Sequence, residues 1–207
     1  YYGGKIEDLN KAITSEIAFA AENQGSFEAV SALYHALDLA YVNEYYLDIL
    51  SVTNPTKYKM TSLSYGSAQN IEVLVQRQLE KVVISLIVTG DVDNRIGGAL
   101  SSVLTNSNFK TVEGPSELAT YELKVSVSLS EMAMSADTNN KFVRFVLDTQ
   151  LVSIKTGKNV FPYTVNGREA HLTVEEAKQR ALRTLENEIK NTYSIQFSEF
   201  LNSIHTK

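Results

Sequence analysis

The sequence predicts an α+β chain: an N-terminal helical hairpin followed by a β-α-β-β-β-β-α mixed-sheet domain with helices packed on the sheet. Three observations predict it. Apolar residues recur at three- and four-residue spacing through the first eighty positions, the signature of amphipathic helices. From position 121 the pattern becomes strict alternation: Tyr121, Leu123, Val125, Val127 and Leu129 between Glu122, Lys124, Ser126, Ser128 and Ser130, which is strand periodicity. Thr173 with Glu176 three residues on then opens a closing helix as a capping box.

The first helix is expected over 5–23, with Ile6, Leu9, Ile13, Ile17 and Ala20 on one face. Asn23-Gln24-Gly25-Ser26 is a turn, with Ser26 as N-cap of a second helix from Phe27 to about Leu50. Its expected stripe is Phe27, Val30, Tyr34, Leu37, Tyr41 and Tyr45, and so short a connection makes the pair antiparallel. Ser51–Ser67, with Asn54-Pro55, reads as a loop, and residues 68–81 as a helix with Ile71, Leu74, Val75 and Leu79 on one side.

Val82–Val88 is rich in β-branched residues and nearly continuously apolar, as in a strand buried on both faces. Gly90–Asn94 turns into a helix over 95–106 with Ile96, Leu100, Val103 and Leu104 inward, and Phe109–Glu113 is a short strand ended by Gly114-Pro115. The default for such a unit is a right-handed parallel crossover. After the alternating strand, Asp137–Asn140 turns into a strand over 142–154. Lys155-Thr156-Gly157-Lys158 is a tight hairpin turn, with Gly157 supplying positive φ. The last strand, 159–165, ends at Asn166-Gly167, and Pro162 places it at a sheet edge. In the closing helix, Leu172 and Ala177 form a hydrophobic staple, Ala177, Ala181, Leu185 and Ile189 hold one face, and 191–194 bends or ends it. Phe197, Phe200, Leu201 and Ile204 continue the amphipathic pattern. The expected division is a helical hairpin and loop over 1–66 and an α/β domain over 67–207.

The 207 residues are 43% hydrophobic and 21% charged, ordinary globular values that exclude disorder as the main state. A net charge of −5 argues against nucleic acid as partner. With no cysteine there is no disulfide, thiolate site or cysteine nucleophile. No apolar run reaches the roughly 18 residues of a membrane span.

The inventory for chemistry is thin. His35, His171 and His205 have no second histidine at helical spacing. Asp91-Val92-Asp93-Asn94 opens like a calcium loop, but its sixth position is Ile96 and its twelfth Ser102, where the loop needs Gly and Glu; a helix cap explains it better. Gly157-Lys158 lacks the rest of a phosphate loop, and Gly97-Gly98 reads as close packing of the helix on the sheet. No cofactor, metal or catalytic residue is expected.

Residues 82–190 resemble the CsgG, LpoB and TolB N-terminal domain family. The resemblance rests on Val83–Val88, on Ile96-Gly97-Gly98-Ala99-Leu100, on Asn108-Phe109-Lys110-Thr111-Val112-Glu113, on Thr120–Ser128 with Ser126 where the family has Gly, and on Leu147–Lys158 with Ser153 where it has Asp. The layout of the N-terminal helices is similar to FlgT- and LPP-type lipoproteins. The resemblance implies a non-catalytic, periplasmic, outer-membrane-anchored lipoprotein that assembles or regulates an envelope machine. Its partners would be an envelope protein or its own copies, with membrane contact only through a lipid anchor upstream of Tyr1. The expected contact points are Phe161, Tyr163, Arg168 and His171 along the edge strand, and Tyr41 and Tyr45 on the second helix. The alternative is a nucleotide-binding or hydrolytic enzyme using the 82–113 β-α-β unit. A scaffold resembling one tetratricopeptide unit ranks last, since such repeats need about three copies to bury their faces.

Overall fold

The computed structural model describes residues 2–91, 93–133 and 139–205; the turn expected at 137–140 begins outside them. The chain forms two compact units, Tyr1–Val82 with Leu201–Lys207, and Val83–Phe200.

The first unit holds α1 (Tyr2–Glu22), α2 (Phe27–Thr53), α3 (Pro55–Met60) and α4 (Ala68–Lys81). Ser26 caps α2 by accepting from the Ala29 N–H at 3.1 Å. His35 meets Glu16 and Asn43 meets Asn10, so α2 rises as α1 descends and the pair is antiparallel. Ile6, Ile13 and Ala20 of α1 are buried as expected.

The expected stripe of α2 is corrected. Phe27 and Val30 are buried as expected, but the buried side continues through Leu33, Ala36, Ala40, Asn43 and Leu50, whereas Tyr34, Tyr41 and Tyr45 face outward. The cause is size. Ala36 and Ala40 let the helix backbones approach around Ile13, Ala68 and Ile71, a close seam that phenol rings would hold apart. The 51–67 segment is likewise not all loop: α2 runs on to Thr53, and the Asn54 side chain accepts from Lys57 N–H at 3.0 Å to cap α3, with Pro55 pre-set for a first helical position. Glu44 of α2 accepts from the Ala68 N–H at 2.6 Å, setting a carboxylate on the positive end of α4.

The second unit is a five-stranded sheet of order β2-β1-β3-β4-β5, built from β1 (Val83–Thr89), β2 (Lys110–Glu113), β3 (Tyr121–Met132), β4 (Lys141–Ser153) and β5 (Asn159–His171). Strand β1 pairs parallel with both β2 and β3; β3-β4-β5 is an antiparallel meander. Helix α5 (Arg95–Asn106) packs on β1 and β2, and α6 (Val174–Glu188) on β3, β4 and β5. The inward residues of β3 named from its alternation, Tyr121, Leu123, Val125 and Val127, are buried. Gly157 has φ +67° in the expected hairpin turn. As the Pro162 argument required, β5 lies at the edge.

Two expectations at the end of β5 are corrected. The strand does not end at Asn166-Gly167 but continues to His171, which sits at its end opposite Lys141. Gly167 is there to make room: a Cβ on it would lie 2.4 Å from the ring of Phe145, its cross-strand partner. The Thr173 cap forms, with the Glu176 N–H donating to Thr173 Oγ1 at 3.2 Å. The staple does not form, because Leu172 remains 67% exposed.

After α6 comes a π turn (Ile189–Tyr193), then α7 (Ser194–His205). Ala177, Ala181, Leu185, Ile189, Tyr193 and Phe197 are all buried, at constant four-residue spacing. Tyr193 and Phe197 join Phe161 and Tyr163 of β5, with Phe109 and Phe200, in an aromatic cluster whose centroids stand 5.2 to 6.1 Å apart. Burial pushes the Tyr193 hydroxyl pKa well up, and that oxygen has no hydrogen-bond partner among the described residues.

Two stability tests follow from these contacts. Gly90 has φ +82°, and a Cβ there would lie 2.0 Å from the Val127 carbonyl oxygen. Gly90→Ala is therefore expected to lower the urea-unfolding free energy by at least ~2 kcal/mol. Tyr193→Phe removes only an unpaired buried hydroxyl and is expected to be neutral or stabilising by up to about 1 kcal/mol. Tyr193→Ala is expected to cost about 3–5 kcal/mol. A clear loss of stability in Tyr193→Phe would show that the hydroxyl has a partner.

Candidate functional site

Ligands of parallel α/β units sit beyond the carboxyl end of a strand, at the N-terminus of the following helix. In this chain that place is the turn from β1 into α5. Asp91 closes it. Its Oδ1 accepts from the Arg95 N–H at 3.2 Å and its Oδ2 from the Gly97 N–H at 2.9 Å. The helix end that would attract a phosphate thus already carries a carboxylate, which accepts from two of its N–H groups and repels a second anion. The capping reading of the Asp91 segment holds, with Asp91 rather than Asn94 as the side chain that bonds; Asn94 takes a left-handed conformation with φ 52°. Of the two glycines expected to pack closely, only Gly97 is tight: a Cβ on it would meet Asn94 Oδ1 at 2.6 Å and Val88 Cγ2 at 3.5 Å, while Gly98 has open space.

Beside this turn lies an ion pair that the sequence reading missed. The Arg95 guanidinium donates from Nε and Nη2 to the two Glu186 oxygens, both at 2.8 Å, and from Nη1 to Gln179 Oε1 at 2.9 Å. It clamps the start of α5 to α6 at Gln179 and Glu186. The charge-assisted bond from Arg95 holds the Glu186 carboxyl below the usual carboxylate range. Ninety-one positions separate the partners, and no local pattern pairs them.

The edge-strand candidates divide by face. Phe161 and Tyr163 are 7% exposed and turn inward against Tyr193 and Phe197, so their rings belong to the core instead of a contact surface. Burial, with the neighbouring Glu188 second, raises the Tyr163 pKa. Arg168 lies on the opposite, exposed face, in register with Arg144 of β4. His171 is half-buried, with Nδ1 2.5 Å from Glu176 Oε2. The strand therefore brings Arg168 to the surface and withdraws Phe161 and Tyr163 from it.

The α2 candidates stand outside. Tyr41 is 50% and Tyr45 64% exposed. The Tyr41 hydroxyl donates to Glu72 of α4, and this bond, with Glu72, Glu44 and Asp38 nearby, raises its pKa. Next to them a groove of about 680 Å³ runs between α2 and α4, lined by Tyr34, Leu37, Val73 and Gln76 with Glu72 and Glu80. Among the described residues no three His, Asp or Glu side chains gather as metal ligands, and no helix is long and apolar enough to cross a membrane.

No family model matches the chain, and no curated protein matches it. Solved structures do. A candidate lipoprotein from Caulobacter crescentus is similar at 14% identity, over 62% of this chain and 95% of that one, with a TM-score of 0.41. A minor lipoprotein from Acinetobacter baumannii is similar at 16% identity, over 59% and 94%, with a TM-score of 0.39. Rare lipoprotein B from Shewanella oneidensis is similar at 14% identity, over 60% and 94%, with a TM-score of 0.36.

The Arg95–Glu186 pair makes a pH prediction. A folded-state carboxyl pKa below its unfolded value of about 4.3 contributes stability that is present above that value. The contribution is lost as pH falls through the lowered, folded pKa. Glu186→Gln is expected to cost about 1–2 kcal/mol at pH 7 and to lose less stability than the parent chain between pH ~5 and pH ~3. Urea midpoints of both chains at the two pH values check it; parallel losses would remove the pair from the acid limb.

Proposed function

We propose that the chain is a non-catalytic protein of the bacterial envelope, periplasmic and held at the outer membrane by a lipid anchor. It assembles or regulates an envelope machine through contacts with another envelope protein or with its own copies. One observation carries the non-catalytic part: the Asp91 carboxylate fills the α5 N-terminus that a β-α-β enzyme or nucleotide binder would offer to its ligand. Support for the envelope setting comes from the sequence motifs of residues 83–158. Support for the contact role comes from what is left outside, Tyr41 and Tyr45 on α2 and Arg168 beside the free edge of β5, since an edge strand offers unpaired donors and acceptors to a partner strand.

The test is site-specific photocross-linking in the living cell, with a benzophenone side chain at position 45 or 168. Adducts with an envelope protein or with a second copy, recovered in the envelope fraction, are expected from at least one position. No adduct from either position overturns the contact role. Thermal melts with magnesium ATP or GTP complete the test. An unchanged midpoint is expected, and a rise of roughly 5 °C or more would restore the nucleotide reading.

A further inference from the structure

The outward face of α2 has a chemistry of its own. At about 100° per residue, Tyr34, Tyr41, Tyr45 and Val52 fall within roughly 40° of one another, and they are 39%, 50%, 64% and 82% exposed. Asp38, Glu44 and Asp48 flank the same line. Over its whole length, Phe27–Thr53, α2 contains no Lys or Arg. Across the groove, α4 adds Glu72 and Glu80 and one cation, Arg77, beside the half-exposed Val73. The hydrogen bond to Glu72, then desolvation, and then the charges of Glu72, Glu44 and Asp38 raise the Tyr41 pKa. The helices pack through the alanine side of α2, and Tyr41 and Glu44 of this face also bond to α4, at Glu72 and at the Ala68 N–H.

We infer that this aromatic, acidic face of α2 and the adjoining α2–α4 groove dock a basic amphipathic segment of a partner protein. The inference rests on the protein-contact reading above and adds the partner's chemistry. Phenol faces flanked by carboxylates suit Arg and Lys side chains, which stack on the ring and pair with the acid together. The groove takes the apolar anchors of a helix laid along it. A second acidic surface would be repelled.

The chain has no tryptophan, so a tryptophan-bearing peptide reports binding without background. The probe is a helical peptide of about 18 residues with Leu at i, i+3, i+4 and i+7, Lys on its other face and one Trp; its twin carries Glu for Lys. The Lys peptide is expected to bind, with affinity falling at least about tenfold in ~0.5 M sodium chloride. Both Tyr41→Ala/Tyr45→Ala and Asp38→Lys/Asp48→Lys are expected to weaken it at least about tenfold. Phe19→Ala on α1 is expected to leave it unchanged, with helix content matched by circular dichroism. No binding, equal binding of the Glu twin, or equal binding by the double variants overturns the inference. So does a homodimer that Tyr41→Ala/Tyr45→Ala dissolves, since the occupant is then a second copy. Loss of the peptide result with cross-links from position 45 or 168 intact sinks the basic-segment chemistry alone; loss of the peptide result and of the cross-links from both positions sinks the contact role as well.

Discussion

A four-residue step along an α-helix overshoots one 3.6-residue turn by about 40°, so side chains spaced by four drift around the axis. Six buried residues from Ala177 to Phe197 keep that spacing nonetheless. The π turn over Ile189–Tyr193 makes this workable. Its wider turn returns part of the accumulated rotation and brings Tyr193 and Phe197 back over the sheet. The aromatic cluster on β5 follows from it, as does the burial of Phe161 and Tyr163. The unpaired Tyr193 hydroxyl is one polar atom carried inside by the same phase correction.

Much of the second unit was legible because its signals are local. The alternation of β3, the Gly157 hairpin, the Thr173 cap and Pro162 at the edge each depend on neighbours within a few residues. The misreadings share another origin. On α2 a line of tyrosines runs along one side and alanines and leucines along the other, and periodicity alone ranks a tyrosine with a leucine. Only the partners of the helix decide that the alanine side goes in. Gly167 read as a stop because the Phe145 ring that requires it comes from another strand.

The candidate site was legible in the same partial way. The cap at Asp91 is legible from its distance to the helix start, whereas helical spacing alone sets Tyr41 and Tyr45 on a packing stripe as readily as on a contact surface. Phe161 and Tyr163 were not separable from the surface, because an edge strand has an open flank and two faces, and Pro162 reports only on the flank. Arg95 and Glu186 depend on α5 and α6 lying side by side, which no spacing in the chain encodes.

The bare backbone at Gly167 also fixes alignment. Shifting β5 by two residues against β4 would keep every side chain on its proper face, and hydropathy alone would tolerate it. It would also set Phe145 against Val165 or Glu169, whose side chains claim the volume its ring now fills. A single missing side chain thereby works as a notch that receives one ring, so the long hairpin has its own means of choosing among otherwise equivalent pairings.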